Sequence, residues 1–399
     1  MNFKERAKRL YMKYLPVKKD RVLFMSYYGH YSDSPMYVSQ RMHELKPELE
    51  QVWLVSDKYR DSVPDYCTKV KYNSLESRKY YGSAHVIVDN TYCEKESYVL
   101  ADDPDSKKVA EFFRFCNDKK SQKCYTTWHS TSVKKMGIDI KGSNIRDFFC
   151  PGVTMLLDSD FNIDLLSRLT FNKLKYVKIG CPRNDVLYNI DPETVRETKQ
   201  ELGIPLDKKI IMYAPTFRES DGDNKNILMS GIEQMKAIDF DRLFDALNKK
   251  FGGDWVFVCR FHYHVQQMVD WEDINRRYPG KVINGNKIDE MSRMLMITDI
   301  LVTDASSSSI DFSITGRPSF LFFPDLDHYV NEERGMYFSL DELPSCAVTF
   351  EEFLDNIKNF DSKKHEEFID KLNKKCNFIH NPNSARDIAE YILKDSGLM

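Results

Sequence analysis

Histidines, arginines and hydroxyl residues stand in short loops that directly follow apolar runs of the sequence. The loop Thr127-Trp-His-Ser-Thr131 places His129 among hydroxyl residues, and two cations follow at Lys134 and Lys135. A histidine in this setting could serve as a general base beside an anion-binding site. A lone histidine that is only hydrogen-bonded in its loop is the commoner case, and both interpretations stay open on these residues alone.

Two arginines end apolar runs that are typical of strands. Arg218 closes Tyr213-Ala-Pro-Thr-Phe-Arg218, where phosphate is one use for the guanidinium and a carboxylate is the commoner partner. In Cys259-Arg-Phe-His-Tyr-His264, Arg260 and His262 have the same parity. Because alternate residues of an extended segment point the same way, we expect Arg260 and His262 to converge on one ligand.

A run of four serines follows another apolar segment. Val302-Thr-Asp-Ala-Ser-Ser-Ser-Ser-Ile-Asp-Phe312 predicts a strand, a hydroxyl-rich turn and a helix that begins near Ser307. Free N–H groups at a helix start, with hydroxyls beside them, suit an anion. Ordinary N-capping needs one serine, so four in a row favour phosphate binding. The Asp325-Leu-Asp327 pair has metal-ligand spacing in a weak context, and we predict no metal site.

The apolar runs before these loops indicate the architecture. Buried runs separated by helices predict parallel sheets, with ligands at the carboxyl ends of the strands. Two series of runs predict two doubly wound Rossmann-type domains that face a central cleft. The predicted elements are strands 21–26, 52–56 and 85–89 and helix 39–45 in the first series, and strands 209–214, 255–259, 281–284, 300–303 and 319–323 in the second.

The bulk composition excludes several classes of protein. A chain of 399 residues suits two domains, and the net charge of -3 argues against a nucleic-acid binder. The nine cysteines include no CxxC pair, which predicts reduced thiols in a cytosolic compartment. No signal peptide is visible, and no apolar stretch reaches the roughly 18 residues that a membrane span needs.

The first 20 residues combine seven cations with two acidic residues. Apolar and aromatic side chains recur there at helical spacing, from Phe3 to Leu15. A basic face beside an apolar face suits an anionic bilayer surface. An amphipathic helix packed on its own domain has the same pattern, so the segment predicts one or the other.

Taken in order, these loops resemble the CDP-glycerol glycerophosphotransferase family, which contains teichoic acid primases and polymerases. The resemblance covers about residues 21 to 345. It rests on Ser26–Gly29 with Asp33–Pro35, Trp128–His129, Lys134–Lys135 with Gly137–Asp139, Gly180–Asp185, Tyr213–Arg218, Arg260–His262, Thr303–Phe312, and Asp325, Asp327, Tyr329 and Arg334–Gly335.

The resemblance implies a GT-B-like α/β fold and a transferase. Residues 1–20 would contact the membrane, 21–175 would handle the acceptor, 176–384 would bind the CDP donor, and 385–399 would form a helix that packs back on the first domain. The enzyme would transfer glycerol phosphate, or a related polyol phosphate, to a hydroxyl of a lipid-linked or polymer acceptor and release CMP. It would work in the cytoplasm at the inner membrane face, in teichoic acid or capsule-type synthesis.

The resemblance also assigns roles to residues. His129 would be the base, and His262 with Arg260 and Arg218 would stabilise the diphosphate. Further donor or phosphate contacts would come from Thr303, Ser306, Ser307 and Arg334, with support from Lys135, Asp304, Asp311 and Asp327. No cofactor would be required, because hydroxyl and N–H groups would hold the phosphates.

Three departures from the family pattern put the choice of donor, CDP-glycerol or CDP-ribitol, in doubt. Ser130 stands where the family usually has glycine, Ala305 where it has tyrosine, and Ser345 where glycine is common. A GT-B glycosyltransferase that uses a nucleotide sugar is the alternative function, and a non-catalytic polymer-binding protein is a second. The sequence leaves a homo-oligomer open.

Overall fold

The structure is a computed structural model that describes residues 11–12, 14–90, 121–129, 131–141, 152–169, 174–216, 218, 234–261, 265 and 269–399. The predicted catalytic His262 and residues 1–10 and 13 of the predicted basic segment lie outside the described residues. The chain forms two compact units. The first contains the described residues within 1–130, 144–185 and 377–399, and the second contains those within 131–143 and 186–376.

Each unit is built on one parallel sheet. The first sheet has the order β3-β2-β1-β4-β5-β6-β7, and the second has the order β10-β9-β8-β11-β12-β13. The strands of the first sheet are β1 Lys18–Met25, β2 Glu50–Val55, β3 Thr68–Lys71, β4 Ala84–Asp89, β5 Lys123–Thr126, β6 Val153–Leu157 and β7 Lys175–Lys178. Those of the second are β8 Lys209–Tyr213, β9 Trp255–Cys259, β10 Val282–Asn284, β11 Ile300–Thr303, β12 Ser319–Phe322 and β13 Cys346–Ala347.

Apolar side chains cover both faces of each sheet. In β1, Val22 and Phe24 enter one buried cluster, while Leu23 and Met25 enter another. Such continuous apolar runs are what a parallel sheet with helices on both faces requires. The sequence-based prediction of an α/β fold with two parallel sheets is therefore confirmed.

Helices separate most of the strands. In chain order they are α1 Asp33–Leu45, α2 Leu75–Ser83, α3 Asp160–Leu169, α4 Asp185–Tyr188, α5 Pro192–Glu201, α6 Phe240–Phe251, α7 Trp271–Arg277, α8 Met291–Ile297, α9 Ser308–Ser313, α10 Leu326–His328, α11 Phe350–Lys358, α12 Ser362–Cys376 and α13 Ser384–Asp395. Within the described ranges, none of these helices has the length and hydropathy needed to cross a membrane.

The C-terminal helix α13 belongs to the first unit. Its Ile388 and Ile392 share a buried cluster with Val38 of α1. The Asp185 carboxylate accepts the first amides of α13, from Ser384 at 3.0 Å and Ala385 at 2.8 Å, and so satisfies N–H groups that a helix start leaves unpaired. This arrangement fixes the last helix to the segment that ends the first sheet.

Candidate active site

The first unit presents His129 just beyond the carboxyl end of β5. The Thr127 amide donates to the Asp89 carbonyl at 2.8 Å, which continues the pairing of β4 and β5. Trp128 is buried and has a φ of 53°, so the chain turns sharply before the histidine. The His129 ring is half-buried, with its centroid 4.1 Å from that of Trp128. The strand end and the turn together fix where the imidazole points.

A backbone carbonyl orients the imidazole of His129. Its Nδ1 lies 3.3 Å from the carbonyl oxygen of Asn90, the residue after β4. A neutral imidazole that donates Nδ1–H to a carbonyl carries its lone pair on Nε2. Nε2 is then the atom that can take a proton from a substrate hydroxyl. The general-base role of His129 stays a prediction.

The guanidinium of Arg183 touches the same loop from the Pro182–Asn184 turn. Its Nη2 donates to the carbonyl oxygen of His129 at 3.0 Å, and its Nη1 pairs with Asp33 Oδ2 at 2.8 Å. Sequence reasoning assigned no role to Arg183 or Asp33, although both lie in motifs that carried the family resemblance. Their pairing joins residues about 150 positions apart, which no local pattern reveals.

The second unit gathers polar residues where its strand order reverses, between β8 and β11. In doubly wound sheets this is the place where ligands bind. The Thr303 hydroxyl donates to the Ala214 carbonyl at 2.6 Å, and Asp304 Oδ1 accepts the Thr216 amide at 2.8 Å. Both side chains are buried. They tie together the loops that leave β8 and β11, whereas the donor contact predicted for Thr303 remains untested.

Arg218 is buried between two carboxylates. Its Nε and Nη2 donate to Asp325 at 2.7 and 2.9 Å. Its Nη2 also lies 2.8 Å from Asp304 Oδ2 as an ion pair, although the angle there is not that of a hydrogen bond. Of the two interpretations of Arg218, the structure therefore displays the carboxylate pairing.

The charges in this cluster stabilise one another. Burial opposes the positive charge of Arg218, but the carboxylates of Asp304 and Asp325 outweigh it and hold the pKa of the guanidinium above its ordinary value. Burial likewise acts to raise the pKa of Asp325, yet the hydrogen bonds and charge of Arg218 hold that pKa below its ordinary value. Arg218 and Asp325 therefore form an ionised pair at neutral pH.

Arg260 follows β9 and holds a neighbouring turn. Its guanidinium donates to the carbonyl oxygens of Gly285 at 3.3 Å and Asp289 at 2.6 Å, and also to that of Ile288. The predicted convergence of Arg260 and His262 on one ligand stays a prediction, because His262 is not among the described residues.

The serine run forms a compact hydroxyl cluster. Ser306 Oγ accepts the amide of Ser308 at 3.2 Å and its hydroxyl at 2.9 Å, and Ser306 and Ser307 are half-exposed. Helix α9 begins at Ser308, one residue later than predicted, and has only six residues. Asp311 is buried within it. The cluster leaves Ser306 and Ser307 accessible to a ligand.

Two sequence-distant motifs form one local structure in the second unit. The Lys135 amide donates to the Gly335 carbonyl at 3.1 Å, and Arg334 Nε donates to the Lys135 carbonyl at 2.9 Å. The Lys134 and Met336 backbones also pair. Asp327 lies nearby in sequence, but it is exposed and accepts a hydrogen bond from Asn331. Lys135 and Arg334 are therefore placed together, while their predicted ligand contacts remain predictions.

The described residues contain no candidate metal site. No group of three or more histidine, cysteine, aspartate or glutamate side chains is arranged there to hold an ion.

Two parallel-sheet units with polar groups at their strand ends define an α/β fold of the GT-B-like class. The chain belongs to the CDP-glycerol:poly(glycerophosphate) glycerophosphotransferase family, whose sequence model matches residues 8–394. The predicted family is confirmed.

Named relatives agree with this membership. The chain is 28% identical over 404 residues to a teichoic acid poly(glycerol phosphate) polymerase of Staphylococcus epidermidis, covering 95% of this chain and 51% of the relative. It is 28% identical over 371 residues to that of Bacillus subtilis, covering 88% of this chain and 45% of the relative. It thus spans about half the length of these relatives. A structure of the wall teichoic acid polymerase TagF, a histidine-to-asparagine variant soaked with CDPG, superposes with a TM-score of 0.77 and 26% identity, covering 99% of this chain and 93% of that chain.

Proposed function

We propose that this protein transfers glycerol phosphate, or a related polyol phosphate, from a CDP-activated donor to a hydroxyl of a lipid-linked or polymer acceptor. CMP is the other product, and the pathway is teichoic acid or capsule-type polymer synthesis. The observation that carries the proposal is the family match, which runs from residue 8 to 394 and includes both the His129 loop and the Ser306–Ser308 cluster. The names of the relatives favour this function over transfer from a nucleotide sugar.

The reaction is a displacement at phosphorus. The acceptor hydroxyl oxygen forms a bond to the distal phosphorus of the donor, and the bond from that phosphorus to the bridging oxygen breaks. The bridging oxygen leaves with the electron pair as part of CMP. The hydroxyl proton passes to Nε2 of His129. A positioned base contributes ~10²–10⁴-fold to such a step.

The donor phosphates need hydrogen-bond donors rather than covalent chemistry. Ser306 and Ser307 supply accessible hydroxyls at the strand-order switch of the second unit. We assign Arg218 and Arg260 to positioning, because their guanidinium groups already bind carboxylates and carbonyls. Arg334 and Lys135 remain proposed phosphate ligands, and a protonated His262 remains the proposed second catalytic histidine.

We propose that the protein acts at a membrane surface. Tyr14 and Tyr11 are exposed by 76% and 52%, next to the cations of the first 20 residues. Aromatic and basic side chains together favour an anionic bilayer surface. We therefore propose peripheral binding at the inner face of the membrane.

The test is the release of CMP from purified protein with CDP-glycerol and, separately, CDP-ribitol, each with a lipid-linked acceptor. Acceptor-dependent CMP from one donor establishes the reaction and identifies the polyol. Parallel reactions with EDTA measure metal dependence. Folded protein that binds CDP but releases no CMP from either donor would contradict the proposal and favour the nucleotide-sugar alternative.

A further inference from the structure

We infer that Arg183 is a positioning residue that holds the His129 loop in its catalytic conformation by linking it to Asp33. The inference rests on the proposed function, because it assigns His129 the role of the base. Arg183 donates to the backbone carbonyl of His129, so we assign it to holding the loop rather than to moving the substrate proton.

The guanidinium of Arg183 contacts one residue with a strained backbone, Asp33, and the residue that directly follows another, Trp128. Asp33 has a φ of 60° and Trp128, directly before His129, has a φ of 53°. Residues other than glycine rarely adopt this left-handed conformation, and they keep it where surrounding contacts enforce it. Arg183 supplies such contacts at both ends, with Nη1 on Asp33 and Nη2 on the His129 carbonyl.

The surroundings of the pair suit a rigid link. The Arg183 side chain is 12% exposed and that of Asp33 6%, so water competes weakly for either group. Ser34 Oγ also lies 3.4 Å from the Arg183 amide and accepts its hydrogen. Asp33 starts α1, whose Val38 is buried in the core of the unit. The histidine loop is therefore linked, through Arg183, to a helix that packs into the core of the unit.

The planar fork of arginine is essential to this arrangement. Two nitrogen atoms of one guanidinium bind the carboxylate and the carbonyl at the same time, at fixed separation. A lysine ammonium at this position keeps the charge but is a compact point donor. Arg183→Lys therefore tests whether the His129 loop requires only a positive charge at this position or also the two separate donors of the guanidinium.

The first experiment compares steady-state CMP release by wild-type protein, Arg183→Lys and Asp33→Asn, with donor and acceptor varied separately. We expect Arg183→Lys to lower kcat by ~10²-fold, the loss typical of a reacting group that is misplaced by about 1 Å. KM for the CDP donor should not change, because the proposed donor hydroxyls lie in the second unit. Asp33→Asn should lower kcat in the same direction but less, since the amide oxygen can still accept a hydrogen bond.

A matched control separates positioning from stability. Arg21 pairs with Glu50 at 2.9 Å in the same unit, and its side chain is 13% exposed, close to the 12% of Arg183. Arg21→Lys should lower the unfolding midpoint about as much as Arg183→Lys while kcat stays unchanged. Equal loss of kcat in the Arg21 and Arg183 variants would overturn the inference in favour of a purely structural role.

A second measurement does not depend on turnover. Diethyl pyrocarbonate modifies accessible imidazole nitrogen atoms, and mass spectrometry of the peptides gives a rate for each histidine. We expect Arg183→Lys and Arg183→Met to raise the modification rate of His129 several-fold, with His85 and His365 unchanged. If wild-type protein releases no CMP, the proposed function fails, yet this comparison still decides the inference. Unchanged modification of His129 in both folded variants would overturn it.

Discussion

Arg218 donates to both carboxylate oxygens of Asp325 from within the core of the second unit, at 2.7 and 2.9 Å. Its side chain is 1% exposed and also faces the fully buried Asp304. The cluster sits where the loops after β8 and β11 meet, beside the Ser306–Ser308 hydroxyls. The ion pairs of this cluster therefore affect both the stability of the second unit and the shape of the proposed donor site.

Arg218→Met should destabilise the second unit strongly. The substitution leaves two carboxylates partly or wholly buried without a cation, and breaking a buried pair in this way costs about 3–5 kcal/mol. Urea unfolding followed by circular dichroism measures the loss. The matched control is Arg242, which binds Glu351 through two nitrogen atoms at 2.6 and 2.7 Å but is exposed. Arg242→Met should cost far less, because an exposed ion pair is screened by water and contributes little to stability. Similar losses in both variants would contradict the importance of the buried cluster.

Asp185 should make the first unit less stable as the pH rises from about 4 to above 6. Burial raises its pKa to about 6, and the amide hydrogen bonds from Ala385 and Ser384 do not cancel this effect. The folded state then holds the proton more tightly than the unfolded chain. The contribution to stability is present below the unfolded pKa and is lost as the pH passes the folded one. It amounts to at most about 3 kcal/mol, at 1.36 kcal/mol per pKa unit.

Asp185→Asn tests this pH dependence, because an amide does not titrate. Thermal unfolding of wild type and variant at pH 4, 5, 6 and 7 should show that wild type loses stability relative to the variant as the pH rises, because only the wild-type side chain ionises. Parallel curves over the whole range would show that Asp185 titrates normally in the folded protein.

The sequence predicts the fold and the strand ends well, because these depend on local patterns. The strands Trp255–Cys259 and Ile300–Thr303 have the predicted bounds. Short or polar strands escaped detection: Thr68–Lys71 alternates with lysines, and Cys346–Ala347 has only two residues. The sheet forms these strands through pairing with a neighbour rather than through their own propensity.

The candidate site could be predicted only in part. The positions of His129, Ser306 and Ser307 after strands follow from their sequence neighbours. The partners of Arg218 do not, because Asp325 lies 107 positions away in the chain. The contacts of Arg183 with Asp33 and His129 could not be predicted either, because the three residues lie in separate segments of the first unit.

Replacement of His129 should abolish most of the turnover without affecting donor binding. We expect His129→Asn to lower kcat by ~10²–10⁴-fold, the contribution of a positioned general base. Affinity for CDP, measured by calorimetry, should stay unchanged. His85 provides the control, since its ring nitrogen atoms bind the Ser121 and Ser396 carbonyls in the same unit. Full activity in His129→Asn, or equal loss in His85→Gln, would exclude His129 as the base.

Loss of the accessible serine hydroxyls should weaken donor binding. A hydrogen bond to a charged group contributes about 1.5–3 kcal/mol, so Ser306→Ala or Ser307→Ala should raise the Kd of the CDP donor by about 10- to 100-fold. Ser313→Ala is the control in helix α9, which follows these two serines, because the Ser313 hydroxyl is buried and donates to the Ile310 carbonyl at 2.7 Å. Calorimetric titration with CDP-glycerol gives the three constants. If all three variants bind the donor like wild type, Ser306 and Ser307 do not hold its phosphates. The next residues to replace are then Arg334 and Lys135, which are joined by a hydrogen bond from Arg334 Nε to the Lys135 carbonyl.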